Sequence, residues 1–257
     1  MIERFRSDLE LAALIGSYDN QPAWSNVVSQ YKNLMHHYIH QTSNLRATTF
    51  LGGLGAIRKE IFERIRGFDE NRYRRPSIED IELGYRLRRA GYQIRLEKQF
   101  QGKHLKRWTF FSLLHSDIFC RAIPWSILIL ETKVSPKDLN LKLSYRVSSL
   151  LVGLLVPLTP MVVFSSYELF GIPSPVFLHP TWLLLFVTVL FLNRDIYRFF
   201  LRRKGLIFTG AAICLHLLYY FYSGVTFFLC WAMVRSRHVP TALGGGTEPR
   251  HPSVMHQ

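Results

Sequence analysis

Two adjacent carboxylates, Glu79 and Asp80, sit near the start of the segment Ser77-Ile-Glu-Asp-Ile-Glu-Leu-Gly-Tyr-Arg-Leu-Arg-Arg-Ala-Gly-Tyr92. A carboxylate at a helix N-terminus is kept ionised by the helix dipole, so at neutral pH it can accept a hydroxyl proton. Paired acids at a helix start are more often caps than bases, so the neighbouring residues decide the reading. Upstream, Phe50-Leu-Gly-Gly-Leu-Gly-Ala-Ile-Arg58 is rich in glycine, which lets backbone approach a ligand closely. Gly67-Phe-Asp-Glu70 forms a turn between the two segments. Downstream, His104, Arg107 and Trp108 bring an imidazole, a guanidinium and an indole, suited to a metal, a pyrophosphate and a sugar.

These residues need elements to hold them. In 77–90 the apolar positions Ile78, Ile81, Tyr85 and Leu87 have helical spacing, with Ser77 and Asp80 in the arrangement of a capping box and Gly91 as the stop. Residues 92–97 alternate apolar and polar and read as a strand, and 47–57 read as a strand followed by a Gly-broken loop. Residues 25–41 and 58–66 read as helices, the first capped by Ser25. The N-terminal stretch begins helix-like through Leu9, Leu11, Ala12 and Leu14, then ends in a strand and turn at Ile15–Asp19. Strands and helices in this order make an α/β domain over 1–107.

The second half has a different character. Charge is dense up to Lys142 and sparse after Arg146, within a chain of 257 residues, 48% hydrophobic, with a formal net charge of +14. Residues 108–142 are aromatic and apolar but interrupted by Asp117, Arg121 and Pro124, which reads as amphipathic helices in the membrane interface. Residues 143–234 read as an all-α membrane region of about three helices, since a span needs about 20 apolar residues. Val147–Tyr167 and the run after Gly205 qualify, and Thr181–Leu192 is short. The Arg-rich loop Arg194–Lys204 contrasts with the loop Glu168–Pro180, which has neither Lys nor Arg. That contrast places the α/β domain in the cytoplasm. Residues 235–257 read as a disordered tail. Cys120, Cys214 and Cys230 show no paired spacing, so neither a disulfide framework nor a zinc site is expected. The basic charge comes with no nucleic-acid-binding signature and fits a membrane surface or a phosphorylated ligand.

The ordered set Gly-Gly-x-x-x-Ile-Arg, Gly-Phe-Asp-Glu, Glu-Asp-x-Glu-Leu-Gly-x-Arg, Gly-Tyr and a His/Arg-Trp element, from about Ile15 to Trp125, resembles membrane-associated family 2 glycosyltransferases of the GT-A fold. The resemblance implies inverting transfer of a sugar from a nucleotide sugar to a lipid-linked or polysaccharide acceptor. The reaction would occur at the cytoplasmic face of a cell inner membrane, by a multi-pass protein. It implies Asp80 as the general base with Glu79 beside it. Gly52, Gly53, Gly55, Arg58, Arg107 and Trp108 would line the acceptor and donor. Processive members carry Gln-x-x-Arg-Trp; His104-Leu-Lys-Arg107-Trp108 has His in the Gln position, which fits a single addition, and His104 becomes a candidate metal ligand. The divalent metal (Mg or Mn) that the resemblance implies is held in the family by an Asp-x-Asp motif, which this chain lacks. The chain therefore reads as a partial GT-A domain whose N-terminal, nucleotide-binding half comes from elsewhere, such as a partner chain. The alternative is a catalytically inactive membrane pseudoenzyme or scaffold. A small transporter is a third reading, with His216 as its one intramembrane titratable group of note.

Overall fold

The computed structural model describes residues 2–134, 142–166 and 177–236. The tail read as disordered lies, from residue 237 onward, outside them, as does most of the loop Glu168–Pro180.

A short helix α1 (Ile2–Ser7) leads into strand β1 (Leu11–Tyr18). Leu11, Ala12 and Leu14, which read as helical, belong to this strand. Residues 11–17 are all buried, and a strand covered on both faces shows a continuous apolar run rather than alternation. Helix α2 (Val27–Thr42) follows, with Asn26 rather than Ser25 at its N-cap. Next come β2 (Arg46–Ala47), a single 3-10 turn at Gly52–Leu54, β3 (Gly55–Ile57) and α3 (Lys59–Arg64). Helix α4 (Glu79–Arg89) carries the carboxylates, and β4 (Gln93–Gly102) completes a mixed sheet of order β2-β4-β1-β3. The two central strands, β1 and β4, run parallel, so their C-terminal ends emerge together at Tyr18 and Gly102.

The expected capping box at α4 is absent. Ile78 is the N-cap with no side-chain cap, and the Ser77 hydroxyl instead donates to the Cys120 carbonyl. What fixes α4 is close approach and one arginine. A Cβ on Gly84 would stand 2.4 Å from the Phe50 amide nitrogen, so α4 lies directly on the 49–50 segment. Arg86 grips Glu82 through its Nε and donates to the carbonyls of Ile65 and Gly67, tying α4 to the turn at Gly67 (φ 58°).

The chain then forms a continuous helical run: α5 (Phe110–Asp117), a π-helical turn (Ile118–Ala122) and α6 (Ile123–Thr132). By length and composition Phe110–Thr132 could cross a membrane. It also touches the α/β domain near both ends and packs on α9. The Trp108 amide donates to Ser29, Asp117 pairs with Lys32, Trp125 donates to the Tyr85 hydroxyl, and Glu131 pairs with Arg72.

Helices α7 (Leu143–Ser166), α8 (Leu178–Leu192) and α9 (Arg194–Ser236) pack on one another. Leu143–Phe164 and Arg194–Ser236 are long and apolar enough to span. The 15 residues of α8 rise only about 22 Å, short of a hydrocarbon core of about 30 Å. Gly205 (φ 80°) breaks α9 into an Arg-rich piece and a long apolar piece. The Arg-rich piece is packed rather than free: Ile196, Tyr197 and Phe200 share a core with Tyr31, Leu34, Met35 and Ile39 of α2.

Candidate active site

Asp80 lies at the first turn of α4, half-buried, facing the Gly52–Leu54 turn. One carboxylate oxygen accepts the Gly52 N–H at 2.9 Å and the other accepts the Ile81 N–H at 2.8 Å. Burial raises its pKa above the ordinary carboxylate value. The two N–H donors and the nearby Arg121 charge pull the other way, and Glu79 adds to the rise. Glu79 is turned back on the chain, its carboxylate accepting the Ser77 N–H at 2.6 Å.

Gly52 and Gly53 are exposed beside Asp80. A Cβ on Gly52 would lie 3.4 Å from the Asp80 Cβ, and one on Gly53 would lie 3.3 Å from the Tyr18 hydroxyl. The glycines thus leave open the space between the carboxylate and the phenol. Tyr18 sits at the C-terminal end of β1, where ligands of open α/β sheets commonly bind. Its ring meets His104 edge-on at 4.7 Å and has His36 and His40 at 5.8 and 6.2 Å, while the His104 ring stacks toward Trp108 at 6.2 Å. Burial pushes His36 and His104 below the usual imidazole range, with Arg121 adding to the effect. Burial, with His37 adding to it, brings His40 down to about 4. At neutral pH these are neutral rings. Tyr18 is pushed up by burial, with Arg121 opposing and Asp80 adding.

The remaining residues singled out in the sequence part company. Arg58 faces away from the site, its guanidinium donating to the carbonyls of Leu11, Phe5 and Asp8, so it braces the turn between α1 and β1. Gly55 permits packing: a Cβ there would stand 2.6 Å from the Leu51 carbonyl and from the Phe50 ring. Arg107 is exposed and lies over the Trp24 ring at 5.1 Å. Trp108 is buried, its amide and carbonyl held by Ser29 and Asn26, with Lys106 over its ring. Its ring nitrogen has no partner.

The structure adds Tyr18, His36, Lys32 and Arg121 to the neighbourhood. Only Arg121 left a signal in the sequence, as a charge inside an apolar run. Among the described residues, no group of three or more His, Cys, Asp or Glu side chains could hold a metal ion, so His104 does not by itself make a metal site. Two surface cavities of about 470 Å³ lie elsewhere, one at the β2–β4 edge beside Arg46 and Arg95, the other under Arg198, Arg202 and Arg203.

A small mixed sheet, a carboxylate at a glycine turn and an apolar helical half define a membrane-associated α/β protein with a candidate acid–base site. A family model described as the N-terminal domain of galactosyltransferase matches residues 33–108, from the middle of α2 through Trp108. That stretch holds Asp80, the glycine turn and His104, so the chain carries a glycosyltransferase-like domain. Among curated proteins, none matches the chain.

Proposed function

We propose that the chain carries the acceptor side of an inverting, family 2-type glycosyltransferase of GT-A architecture, moving a hexose from a nucleotide sugar to an acceptor hydroxyl at a cytoplasmic membrane face. The observation that carries this reading is Asp80: a carboxylate held by the Gly52 amide, opening onto exposed glycines. In the reaction, the acceptor oxygen attacks the anomeric carbon, its proton passes to a carboxylate oxygen of Asp80, and the bond to the nucleoside diphosphate oxygen breaks with the electron pair. Gly52 and Gly53 make room for the sugar, and Tyr18 and the neutral His104 offer hydrogen bonds to its hydroxyls.

The helical run Phe110–Thr132 would lie in the membrane interface under the site, which suits a lipid-linked acceptor; a polysaccharide end is the other acceptor of fitting chemistry. A divalent cation, Mg or Mn, is implied by the resemblance and would supply charge at the diphosphate. Its carboxylate ligands are not assembled among the described residues, and the steps above do not pass through it. The second reading is a membrane scaffold without turnover.

The test is Asp80→Asn, assayed as sugar transfer from a panel of labelled nucleotide sugars on membranes containing the full chain and any partner that co-purifies with it. Transfer should fall by about 10²–10⁴-fold, the span typical of a removed general base. Turnover that survives the substitution would remove Asp80 from the role, and wild-type membranes that transfer no sugar would leave the scaffold reading.

A further inference from the structure

Arg107, the cation expected to meet phosphate oxygens, lies over the Trp24 ring at the surface. A second guanidinium belongs to a turn tied to the segment just before Asp80. Arg121 belongs to the π-helical turn Ile118–Ala122, and such turns recur at functional sites because the wider turn re-aims its side chains. Two contacts fix this turn against the site. On one side the Ser77 hydroxyl donates to the Cys120 carbonyl at 2.9 Å, three residues before Asp80. On the other, one turn earlier, Asp117 accepts both Lys32, at 2.6 and 2.8 Å, and the Tyr222 hydroxyl, at 2.7 Å.

Asp117 is thus already engaged. Arg121 is half-buried, with no hydrogen bond or ion pair among the described residues. Its charge nevertheless acts on Asp80, Tyr18, His36 and His104, so it is the cation these site groups share. A half-buried guanidinium that no carboxylate or carbonyl hydrogen-bonds keeps its planar fork of donors open, and that fork matches phosphate oxygens.

We propose that Arg121 binds a phosphate or diphosphate group of the substrate beside Asp80, in the role the sequence assigned to Arg107. Two sources share this chemistry: the diphosphate of the donor and the phosphate of a lipid-linked acceptor. The assignment deepens the proposed transfer but is tested without turnover.

The experiment is arginine-selective labelling of the wild-type full chain by phenylglyoxal, read by peptide mass spectrometry, in nanodiscs with three additions: none, inorganic pyrophosphate, or a long-chain isoprenyl monophosphate in the bilayer. A probe at ten times its Kd should slow labelling of Arg121 about tenfold and leave Arg107 unchanged. Protection by pyrophosphate assigns the donor diphosphate, protection by the isoprenyl phosphate assigns the acceptor, and either supports the site. Labelling of Arg121 that neither probe slows overturns it, as does protection of Arg107 in its place. Arg121→Lys, which keeps the charge but loses the fork, should weaken pyrophosphate or isoprenyl phosphate binding several-fold, and unchanged affinity for both counts against the proposal. If Asp80→Asn abolishes transfer while Arg121 stays unprotected, the transfer stands and this assignment falls. Protected Arg121 with transfer intact in Asp80→Asn does the reverse.

Discussion

Asp80 is pulled two ways. Burial and Glu79 favour its protonated form, while two backbone amides and Arg121 favour its carboxylate. A base works only when ionised, so transfer should fall as pH drops through a midpoint above the ordinary carboxylate value. Glu79→Gln keeps an acceptor for the Ser77 amide but removes a charge that raises Asp80, so the acid limb of the pH–rate profile should move down. Arg121→Gln removes a charge that lowers Asp80, so the limb should move up. Shifts in the same direction would contradict the electrostatics of the site. Stability follows from the same pKa. Because folding raises it, the folded state carries the cost of a buried charge above that pKa and loses the cost as pH falls through it. Asp80→Asn should therefore raise the melting temperature at neutral pH, with the gain shrinking toward acid, as checked by thermal unfolding in detergent. At this scale the sequence pointed to Asp80 and its glycines because their spacing is local. It could not show the contacts of Arg58 and Arg107, whose partners Leu11 and Trp24 lie 47 and 83 positions away.

Helix α4 places Asp80, and its fit against the 49–50 segment depends on Gly84 having no side chain. Gly84→Ala should push α4 outward, cost about 1–3 kcal/mol of stability as overpacking does, and lower turnover by shifting the carboxylate. Unchanged melting and rate would mean that α4 has slack the structure does not show. The joint between α2, α5 and α9 is a buried pair, with the Lys32 and Asp117 side chains 8% and 5% exposed. Burial holds Lys32 below the ordinary lysine value against the pull of Asp117. Asp117→Asn strands that lysine and should destabilise by about 3–5 kcal/mol, while Lys32→Met with Asp117→Leu should recover most of the loss. A double variant as unstable as the single would show that the pair contributes more than its own neutralisation. The elements with strong periodicity, α2, α4 and β4, were legible in the sequence. β1 was not, because a strand buried on both faces looks like one side of a helix. Asp117 and Arg121 counted against a spanning helix, and the partner of Asp117, Lys32, 85 positions earlier, is invisible to a local reading.

The arrangement of the whole molecule rests on the Arg-rich piece of α9. Sequence asymmetry alone assigned Arg194–Lys204 to the side of the α/β domain, and in the structure Ile196, Tyr197 and Phe200 pack into the face of α2. Helix α7 starts beside that face, where Lys142 reaches the Thr42 carbonyl, and α8 ends beside the start of α7, where Asn193 donates to Ser148. If α7 crosses outward, α8 would bring the chain back to the domain's side. The apolar piece of α9 stays against the domain for part of its length, where Ala212 joins the α2 core and Tyr222 donates to Asp117, and a crossing by the short α8 would require local thinning of the bilayer. Single cysteines at Lys59 in α3 and Arg203 in α9, both exposed, test this path in a chain with Cys120, Cys214 and Cys230 replaced. Both should react with an impermeant maleimide in inverted vesicles and neither in intact spheroplasts. Labelling of the two from opposite sides would break the packing of α9 on α2. Labelling of both in spheroplasts would keep that packing, and with it the return through α8, but would turn the site and its acceptor to the outer face, where a cytoplasmic nucleotide sugar could not reach Asp80.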